Sequence, residues 1–369
     1  MITVIFYTFI LLSSTFFVWA SEKGKGSLER YVFLGIAFFL VFVPAAIRYD
    51  IGTDYVNYLA IYEGTSDTKT LEPYKFKEPL FYLINWFYQS IGAHFQWMFA
   101  TFAFIFTAVA FKAYPRKNAW LLHFLFFAML WFFSFNGMRQ AVALSWCLLA
   151  LFAFFEKRYV WFFVFTLIGS TFHQSALFIT VAGLAALIPL GNKIKYRVAP
   201  YIFIGFIVFT YLSMNVVLTH MEQILSLVGL TKYAGYFSSA KHFIARDFGT
   251  GLGVLAKVLF SIYIIWNAKA VIKQNKNYWL LIVLVFAYAV GVVLADKIII
   301  FGRMADTFVV APIIAGYLLW HMPNNKQLNR LVLGAFLGFL ILSFIKDGMG
   351  IETSYADPKR NPYQTIFSE

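Results

Sequence analysis

The sequence predicts an all-α protein, a polytopic transmembrane helical bundle of about twelve helices. Three observations support this fold class. First, 61% of the residues are hydrophobic and only 13% are charged, whereas roughly a quarter of a soluble domain is charged. Second, the hydrophobic residues come in repeated runs that approach the ~20 residues needed to cross a bilayer. Third, basic residues are distributed unequally between alternate loops, which is typical of multi-spanning membrane proteins.

Twelve apolar runs are interpreted as membrane spans. They lie at roughly residues 2–20, 31–47, 94–111, 119–135, 139–155, 159–174, 175–190, 198–219, 251–268, 278–296, 303–321 and 328–345. A further apolar stretch lies at residues 80–91. If it crossed the membrane, every later loop would change sides, so we expect an outer interfacial or re-entrant helix there. It belongs to a predicted outer loop at 48–93, and a second outer loop is predicted at 220–250. The whole chain, 1–369, is expected to form a single integral membrane domain.

The charge distribution predicts the orientation of the chain. Loops on one side hold sixteen basic and three acidic residues, so the whole net charge of +13 lies on that side. The positive-inside rule assigns it to the cytoplasm, which accounts for the charge without nucleic acid as a partner. Lys23 and Lys25 follow the first apolar run, so we expect a retained helix with its N-terminus outside. The single cysteine, Cys147, excludes a disulfide framework within the chain.

Polar segments at predicted helix ends all fall on the outer side in this topology. They are residues 48–58, 136–140, 172–175 and 296–306. Three of them contain an arginine, Arg48, Arg139 or Arg303. A guanidinium near the hydrocarbon edge is costly unless it is paired, hydrated or bound to an anion, and its planar fork matches phosphate oxygens. The arginines are therefore candidate ligands of a lipid diphosphate; the alternatives are snorkelling to the headgroups and pairing with nearby aspartates.

Other side chains in and near these segments suit a glycan. Asp54 with Tyr55 and Tyr58 combines an acceptor for hydroxyls with aromatic faces for stacking. Glu78 either belongs to the same set or simply suits the start of the interfacial helix. His173 can accept a hydroxyl proton near neutral pH, and the alternative is a hydrogen bond that joins two helices.

The usual signatures of metal and nucleotide sites do not occur in the sequence. Its six histidines are scattered, without an HxxxH or HExxH pair. Neither a GxGxxG fingerprint nor a P-loop motif occurs. We therefore expect no metal and no cofactor.

In their order along the chain, these motifs resemble the EpsG family of Wzy-like polysaccharide polymerases. The resemblance rests on Arg48 with Gly52-Thr53-Asp54-Tyr55 and Tyr58, Glu78-Pro79, Asn136-x-x-Arg139-Gln140, Phe172-His173-x-Ser175 and Pro362-Tyr363. It implies a GT-C-like glycosyltransferase of the bacterial cytoplasmic membrane, with its active site on the outer face. Such an enzyme would move a growing glycan from undecaprenyl diphosphate to a lipid-linked repeat unit, with inversion and without metal or cofactor. The implied partners are undecaprenyl-diphosphate-linked oligosaccharide, membrane lipid and, as a candidate, a chain-length regulator.

The resemblance and the residue chemistry together assign roles. Asp54, His173 and Arg139 are the expected catalytic residues, and the pattern does not decide whether Asp54 or His173 is the base. Arg48, Arg139 and Arg303 are expected to bind the diphosphate. The expected glycan-binding residues are Tyr55, Tyr58, Glu78, Asn136 and Gln140.

Other functions also fit a polar outer face. A flippase or exporter of the same lipid-linked unit would be expected to show inverted repeats and broken helices near the midplane, and the sequence contains no internal repeat. A membrane acyltransferase acting on surface glycan could use an outer histidine and arginine. A ligase for finished polymer would use closely similar chemistry.

Overall fold

The computed structural model describes residues 1–64, 70–188, 197–227, 251–295, 299–350 and 359–368. Within these residues the regular elements are helices, apart from an isolated antiparallel bridge between Arg48 and Thr365. Six described helical stretches, one of them residues 301–321, are long and apolar enough to cross a membrane, a bent pair forms a further candidate span, and five shorter helices are apolar. The predicted all-α, polytopic membrane fold is confirmed, while its GT-C-like character stays a prediction.

Contacts divide the chain into two units, Met1–Thr180 with Leu337–Glu369, and Val181–Phe336. Each is described by itself below, and the expectation of a single membrane domain stays a prediction. The helices before residue 190 are α1 Ile2–Lys23, α2 Ser27–Ile47, α3 Tyr55–Glu63, α4 Tyr74–Lys77, α5 Pro79–Ser90, α6 Gln96–Lys112, α7 Ala119–Leu130, α8 Phe133–Asn136, α9 Met138–Phe155, α10 Tyr159–Phe172 and α11 Ala176–Leu187. The later ones are α12 Ala199–Leu227, α13 Leu252–Trp266, α14 Ala268–Gln274, α15 Tyr278–Ala295, α16 Ile299–Phe308, α17 Val310–His321 and α18 Lys326–Gly348.

The first unit has an aromatic core around α6, which packs against α2 and α9. Phe99, Phe102 and Phe106 recur at helical spacing on α6 and are fully buried. The indole of Trp131, between α7 and α8, donates to the Val41 carbonyl of α2 at 3.0 Å. Because lipid tails are as apolar as these rings, close packing and hydrogen bonds hold such a core, not exclusion of water.

Several predicted spans are interrupted in the structure. The run at 119–135 forms α7 and the short α8, and the run at 251–268 bends by 60° at Asn267 between α13 and α14. The Asn267 side chain donates to the Tyr263 carbonyl at 2.9 Å at that bend. The run at 303–321 stays within one candidate span, residues 301–321, although a turn at Val309 separates α16 from α17.

The predicted outer loop at 48–93 contains three helices, α3, α4 and α5. The helix expected at 80–91 is α5, which begins one residue earlier because Pro79 suits the first helical position. Its location at the membrane surface stays a prediction. The second predicted outer loop, 220–250, is helical up to Leu227, where α12 ends. Residues 228–250 lie outside the described residues.

The second unit has its core around α15, which packs against α12, α13, α16 and α17. A Cβ on Gly291 of α15 would lie 3.1 Å from the Cβ of Ala305, so these two small residues let α15 and α16 approach closely. Phe260 of α13 and Phe336 of α18 stack with ring centroids 3.9 Å apart.

Candidate functional site

The chain leaves α2 at Arg48 and passes through a tight loop before α3. Two loop residues have left-handed backbone, Asp50 with φ of 50° and Gly52 with φ of 99°. A Cβ on Gly52 would lie 2.6 Å from both the Phe135 carbonyl oxygen and Asn136 Oδ1. Both the dihedral and the space therefore require glycine at position 52, and the loop rests directly on the end of α8.

Asn136 fastens this loop to the start of α9. Its Oδ1 accepts a hydrogen bond from the Thr53 main-chain N–H at 3.0 Å. The observed contact of Asn136 is therefore with the chain itself, and the expected contact with glycan stays a prediction.

Asp54 is the residue that precedes α3, and it is half-buried. Its Oδ1 accepts a hydrogen bond from Asn57 Nδ2 at 3.0 Å, within the first turn of the helix. A carboxylate at this position is also favoured by the helix dipole. These local interactions orient the side chain, while its role as a base stays a prediction.

Tyr55 and Tyr58 of α3 are buried against phenylalanine rings. The Tyr55 ring stacks on Phe99 with centroids 4.7 Å apart and planes 2° apart, and Tyr58 packs edge-on against Phe81 at 6.3 Å. Both tyrosines are nearly inaccessible, so a sugar could stack on them only after this packing opened. Their expected glycan-binding role stays a prediction.

Arg139, in the first turn of α9, forms an ion pair with Glu78. Its Nη1 donates to Glu78 Oε2, and its Cζ atom lies 5.9 Å from the Tyr58 ring centroid. Aromatic rings surround the cation, since its Cζ lies 4.7 Å from the Tyr74 ring centroid and 5.0 Å from that of Phe81. The Arg139 side chain is 19% exposed, so it remains accessible from one direction.

Glu78 occupies the junction between α4 and α5. It is buried and directly precedes Pro79, which opens α5. Its Oε1 lies 3.9 Å from His173 Nε2. Burial raises the pKa of the Glu78 carboxyl, and the Arg139 guanidinium opposes that rise. Glu78 thus lies between a cation and an imidazole.

His173 ends α10, and its side chain is 25% exposed. Its Nδ1 lies 2.8 Å from Ser175 Oγ and accepts the Ser175 main-chain N–H at 3.3 Å. A neutral imidazole with Nδ1 as acceptor carries its proton on Nε2, the nitrogen nearest Glu78. The Ser175 main-chain N–H therefore favours the tautomer with the proton on Nε2, while the Ser175 hydroxyl can partner Nδ1 in either tautomer.

Arg139, Glu78, His173 and Tyr58 form one cluster, the Arg139 cluster, at the meeting point of several helix ends. The start of α5, the start of α9 and the end of α10 supply its members, and α3 supplies Tyr58. Three of the four polar segments predicted on one side therefore meet in space. The accessible groups are a guanidinium, which can bind an anionic oxygen, and an imidazole, which can transfer a proton.

Arg48 has a different environment. Its side chain is buried, with Nη1 donating to the Ala45 carbonyl at 2.6 Å. The Cζ atom lies 4.9 Å from the ring centroids of both Phe99 and Phe135. In this arrangement the guanidinium holds the end of α2, and direct contact with a diphosphate would require the loop to move. The expected diphosphate contact stays a prediction.

Two groups that support the loop were not identified from the sequence. Gln96, the first residue of α6, is buried and donates to the carbonyls of Ala46 and Arg48. Its only signal in the sequence is a polar side chain at the start of an apolar run. The other group is the C-terminal strap, residues 359–368, which packs along the end of α2; an example is the Lys359 ion pair with Asp50. Pro362 and Tyr363 were the one indication of the strap in the sequence.

Gln140 and Arg303 complete the expected site residues. Gln140 is buried next to Arg139 in α9. Arg303 belongs to the second unit, exposed on α16, and its part in a diphosphate site stays a prediction. Asp296 and Lys297 of the fourth polar segment lie outside the described residues. Among those that are described, no group of three or more His, Cys, Asp or Glu side chains could hold a metal ion.

The comparisons with known proteins agree with these motifs. No curated protein and no solved structure matches the chain. A family model described as the EpsG family matches residues 31–364, a range that contains every expected site residue. Membership of this family supports a role of the polysaccharide-polymerase type. Because the match extends over nearly the whole chain, the protein belongs to the EpsG family.

Proposed function

We propose that this protein polymerises lipid-linked glycan repeat units at the outer face of the bacterial cytoplasmic membrane. The growing glycan would leave undecaprenyl diphosphate and join a second lipid-linked unit, in an inverting reaction without metal. The observation that carries the proposal is the Arg139 cluster, where an accessible guanidinium and an accessible imidazole share one carboxylate, Glu78.

Arg139 is the proposed ligand of the donor diphosphate. Its planar fork can hold two phosphate oxygens, and its position in the first turn of α9 adds the favourable field of a helix N-terminus. Glu78 balances the cation while no substrate is bound. A diphosphate carries more negative charge than one carboxylate and would compete with Glu78 for the guanidinium.

The transfer step then needs a base for the acceptor sugar. The acceptor hydroxyl oxygen attacks the anomeric carbon, the bond from that carbon to the diphosphate oxygen breaks, and the hydroxyl proton passes to the base. Arg139 stabilises the charge that develops on the departing undecaprenyl diphosphate.

His173 and Asp54 remain the two candidates for the base. To accept a proton on Nε2, neutral His173 would need the tautomer with its proton on Nδ1, donated to Ser175 Oγ 2.8 Å away, in place of the hydrogen bond that Nδ1 accepts from the Ser175 main-chain N–H. Asp54 is half-buried in the neighbouring loop and accepts a hydrogen bond from Asn57.

The test is complementation of a strain from which the gene has been deleted. Wild type, Arg139→Ala and Arg139→Lys are expressed, lipid-linked glycan is separated on gels, and membrane protein is quantified by immunoblot. We expect a ladder from wild type and a single repeat unit on the outer leaflet from both variants, because lysine keeps the charge and loses the fork. Arg158→Ala is a matched control, since Arg158 makes an exposed ion pair with Glu156.

Other outcomes identify other functions. Normal ladders from both Arg139 variants at normal protein levels would exclude the diphosphate role. Unpolymerised units on the inner leaflet of the deletion strain indicate a flippase. Polymer of unchanged length indicates an acyltransferase, and finished polymer that is not attached to its acceptor indicates a ligase.

A further inference from the structure

The C-terminal strap supplies main-chain partners to the loop that follows α2. Backbone N–H groups in a loop need partners when they are buried, and this loop has no helix of its own to provide them. The hydrogen bonds run from Gly52 N to Lys359 O at 2.7 Å, from Tyr49 N to Gln364 O at 3.0 Å and from Ile366 N to Ile47 O at 3.1 Å.

Side chains of the strap add two further contacts with the same region. Lys359 Nζ pairs with the carboxylate of Asp50. The Tyr363 hydroxyl donates to the Pro44 carbonyl at 2.9 Å, and its ring lies 4.8 Å from that of Phe6 in α1. The strap therefore contacts the last turn of α2 and the loop beyond it.

The strap has its own anchors to the rest of the first unit. The N–H groups of Arg360 and Asn361 both donate to the Gly350 carbonyl at 3.1 Å, and Tyr7 Oη donates to the Arg360 carbonyl at 2.8 Å. The Arg360 guanidinium lies 4.7 Å from the Phe132 ring centroid. Because these anchors are separate from the loop contacts, the strap can support the loop and does not depend on it.

The loop needs such support because of its backbone. Asp50 has left-handed φ, a conformation that costs a non-glycine residue about 1 kcal/mol or more and persists only where the surroundings determine it. Asn136 fixes the loop from the side of α8, and Lys359 fixes Asp50 from the side of the strap.

We propose that the C-terminal strap positions the loop carrying Asp54 for the transfer reaction, and that Lys359 and Tyr363 are the positioning residues. The effect on polymerisation rests on the proposed function. The effect on the loop itself does not, so the two can be measured separately.

The experiment combines charge reversal with a cysteine reporter in the full-length protein. Lys359→Glu, Asp50→Lys and the double variant are made with and without Ile51→Cys, in a background where the one native cysteine is replaced, Cys147→Ala. Ile51 is 1% exposed, so its reaction with a membrane-impermeant maleimide reports loss of loop packing. Polymerisation is measured with lipid-linked repeat units extracted from the deletion strain. Lys359→Arg and Lys346→Glu are the controls, since Lys346 is an exposed lysine at the end of α18.

Each single charge reversal is expected to lower polymerisation by at least about 10-fold and to speed labelling at position 51. The double variant should restore both, because the ion pair is re-formed with its signs exchanged. Lys359→Arg and Lys346→Glu should resemble wild type. Unchanged labelling and polymerisation in the single variants, or a double variant as defective as the singles, would overturn the proposal.

If Lys359→Glu does not accumulate in the membrane, Tyr363→Phe tests the same proposal about the strap. It removes one oxygen and the bond to the Pro44 carbonyl, so faster labelling is expected and an unchanged rate contradicts the proposal. Faster labelling while Arg139→Ala still polymerises would refute the proposed function and leave the strap inference standing. The reverse pattern, loss of the ladder in Arg139→Ala with unchanged labelling in Lys359→Glu, would refute the strap inference alone.

Discussion

Arg48 and Arg139 occupy similar places in the sequence and very different places in the structure. Each stands at a helix end next to a polar motif, and each was expected to bind the diphosphate. Arg48 is 1% exposed, lies between two phenylalanine rings and donates to a main-chain carbonyl. Arg139 is partly accessible and is paired with a carboxylate that also faces a histidine. The difference teaches that an arginine's function depends on its partners, which helix-end position does not reveal.

The strongest test of this difference replaces each arginine by methionine, which keeps much of the apolar stem and removes the charge. Arg139→Met should lower polymerisation by at least about 100-fold, because a preorganised group for the leaving charge is lost. Arg48→Met should lower it by about 10-fold or less, since a buried cation among rings can often be replaced by an apolar side chain at small cost.

Polymerisation by membranes of equal protein content is the measurement, with Arg158→Met as the exposed control. Equal and complete loss in both variants would remove the distinction between the two arginines. It would favour a direct diphosphate contact for Arg48, as the sequence predicts.

The second test concerns the loop on the Arg48 side. Gly52→Ala should destabilise the protein by about 3 kcal/mol, because the new Cβ meets main chain and also disfavours the left-handed backbone. Thermal unfolding in detergent measures the effect. Gly64→Ala is a matched control, since Gly64 also has positive φ, 65°, but a Cβ there meets nothing within 4 Å. Similar unfolding temperatures for both variants would show that the contact with α8 is not tight.

The third test removes the counter-charge on the Arg139 side. Breaking a buried ion pair lowers the free energy of unfolding by about 3–5 kcal/mol. Because Arg139 is partly exposed, we expect a loss of about 2 kcal/mol for Glu78→Gln. Unfolding should occur at lower temperature, and polymerisation should fall because His173 loses a charged neighbour. The exposed Glu72→Gln is the control. A fully active, equally stable Glu78→Gln protein would mean that the pair is incidental.

The smallest effect on stability is expected at Asn136, which joins the loop after Arg48 to the segment that leads into Arg139. Asn136→Ala leaves the Thr53 N–H without its acceptor and should cost about 1 kcal/mol. Asn136→Asp keeps the oxygen and should stay closer to wild type. If alanine and aspartate variants unfold alike, the hydrogen bond to Thr53 does not contribute measurably.

The sequence predicted much of the fold and part of the site. Apolar runs and charge asymmetry predicted the helices, because a bilayer requires long apolar segments and leaves few alternatives. The structure brings Arg139, Glu78 and His173 of these motifs together, since helix ends on one side of a bundle can meet, while their roles stay predictions. The bend at Asn267 was missed because average hydropathy does not register a local hydrogen bond.

Contacts between distant segments were beyond what the sequence could show. Two examples depend on how α2, α3 and α6 pack together: the Tyr55 ring stacks on Phe99, and Gln96 donates a hydrogen bond to the Arg48 carbonyl. No periodicity encodes such pairs. For the same reason the polar end of the chain gave no indication of its partner, although Lys359 reaches Asp50 across 309 positions.

That last contact has a consequence for how the protein is made. The loop after α2 is synthesised well before the strap that holds it, since 309 positions separate Asp50 from Lys359. The loop would therefore gain its strap contacts only after α18 has been synthesised, so a chain released before Lys359 would contain Arg139, Glu78 and His173 and still lack the ion pair with Asp50. Under the proposed function, late completion of this kind would keep an unfinished chain inactive towards lipid-linked sugars.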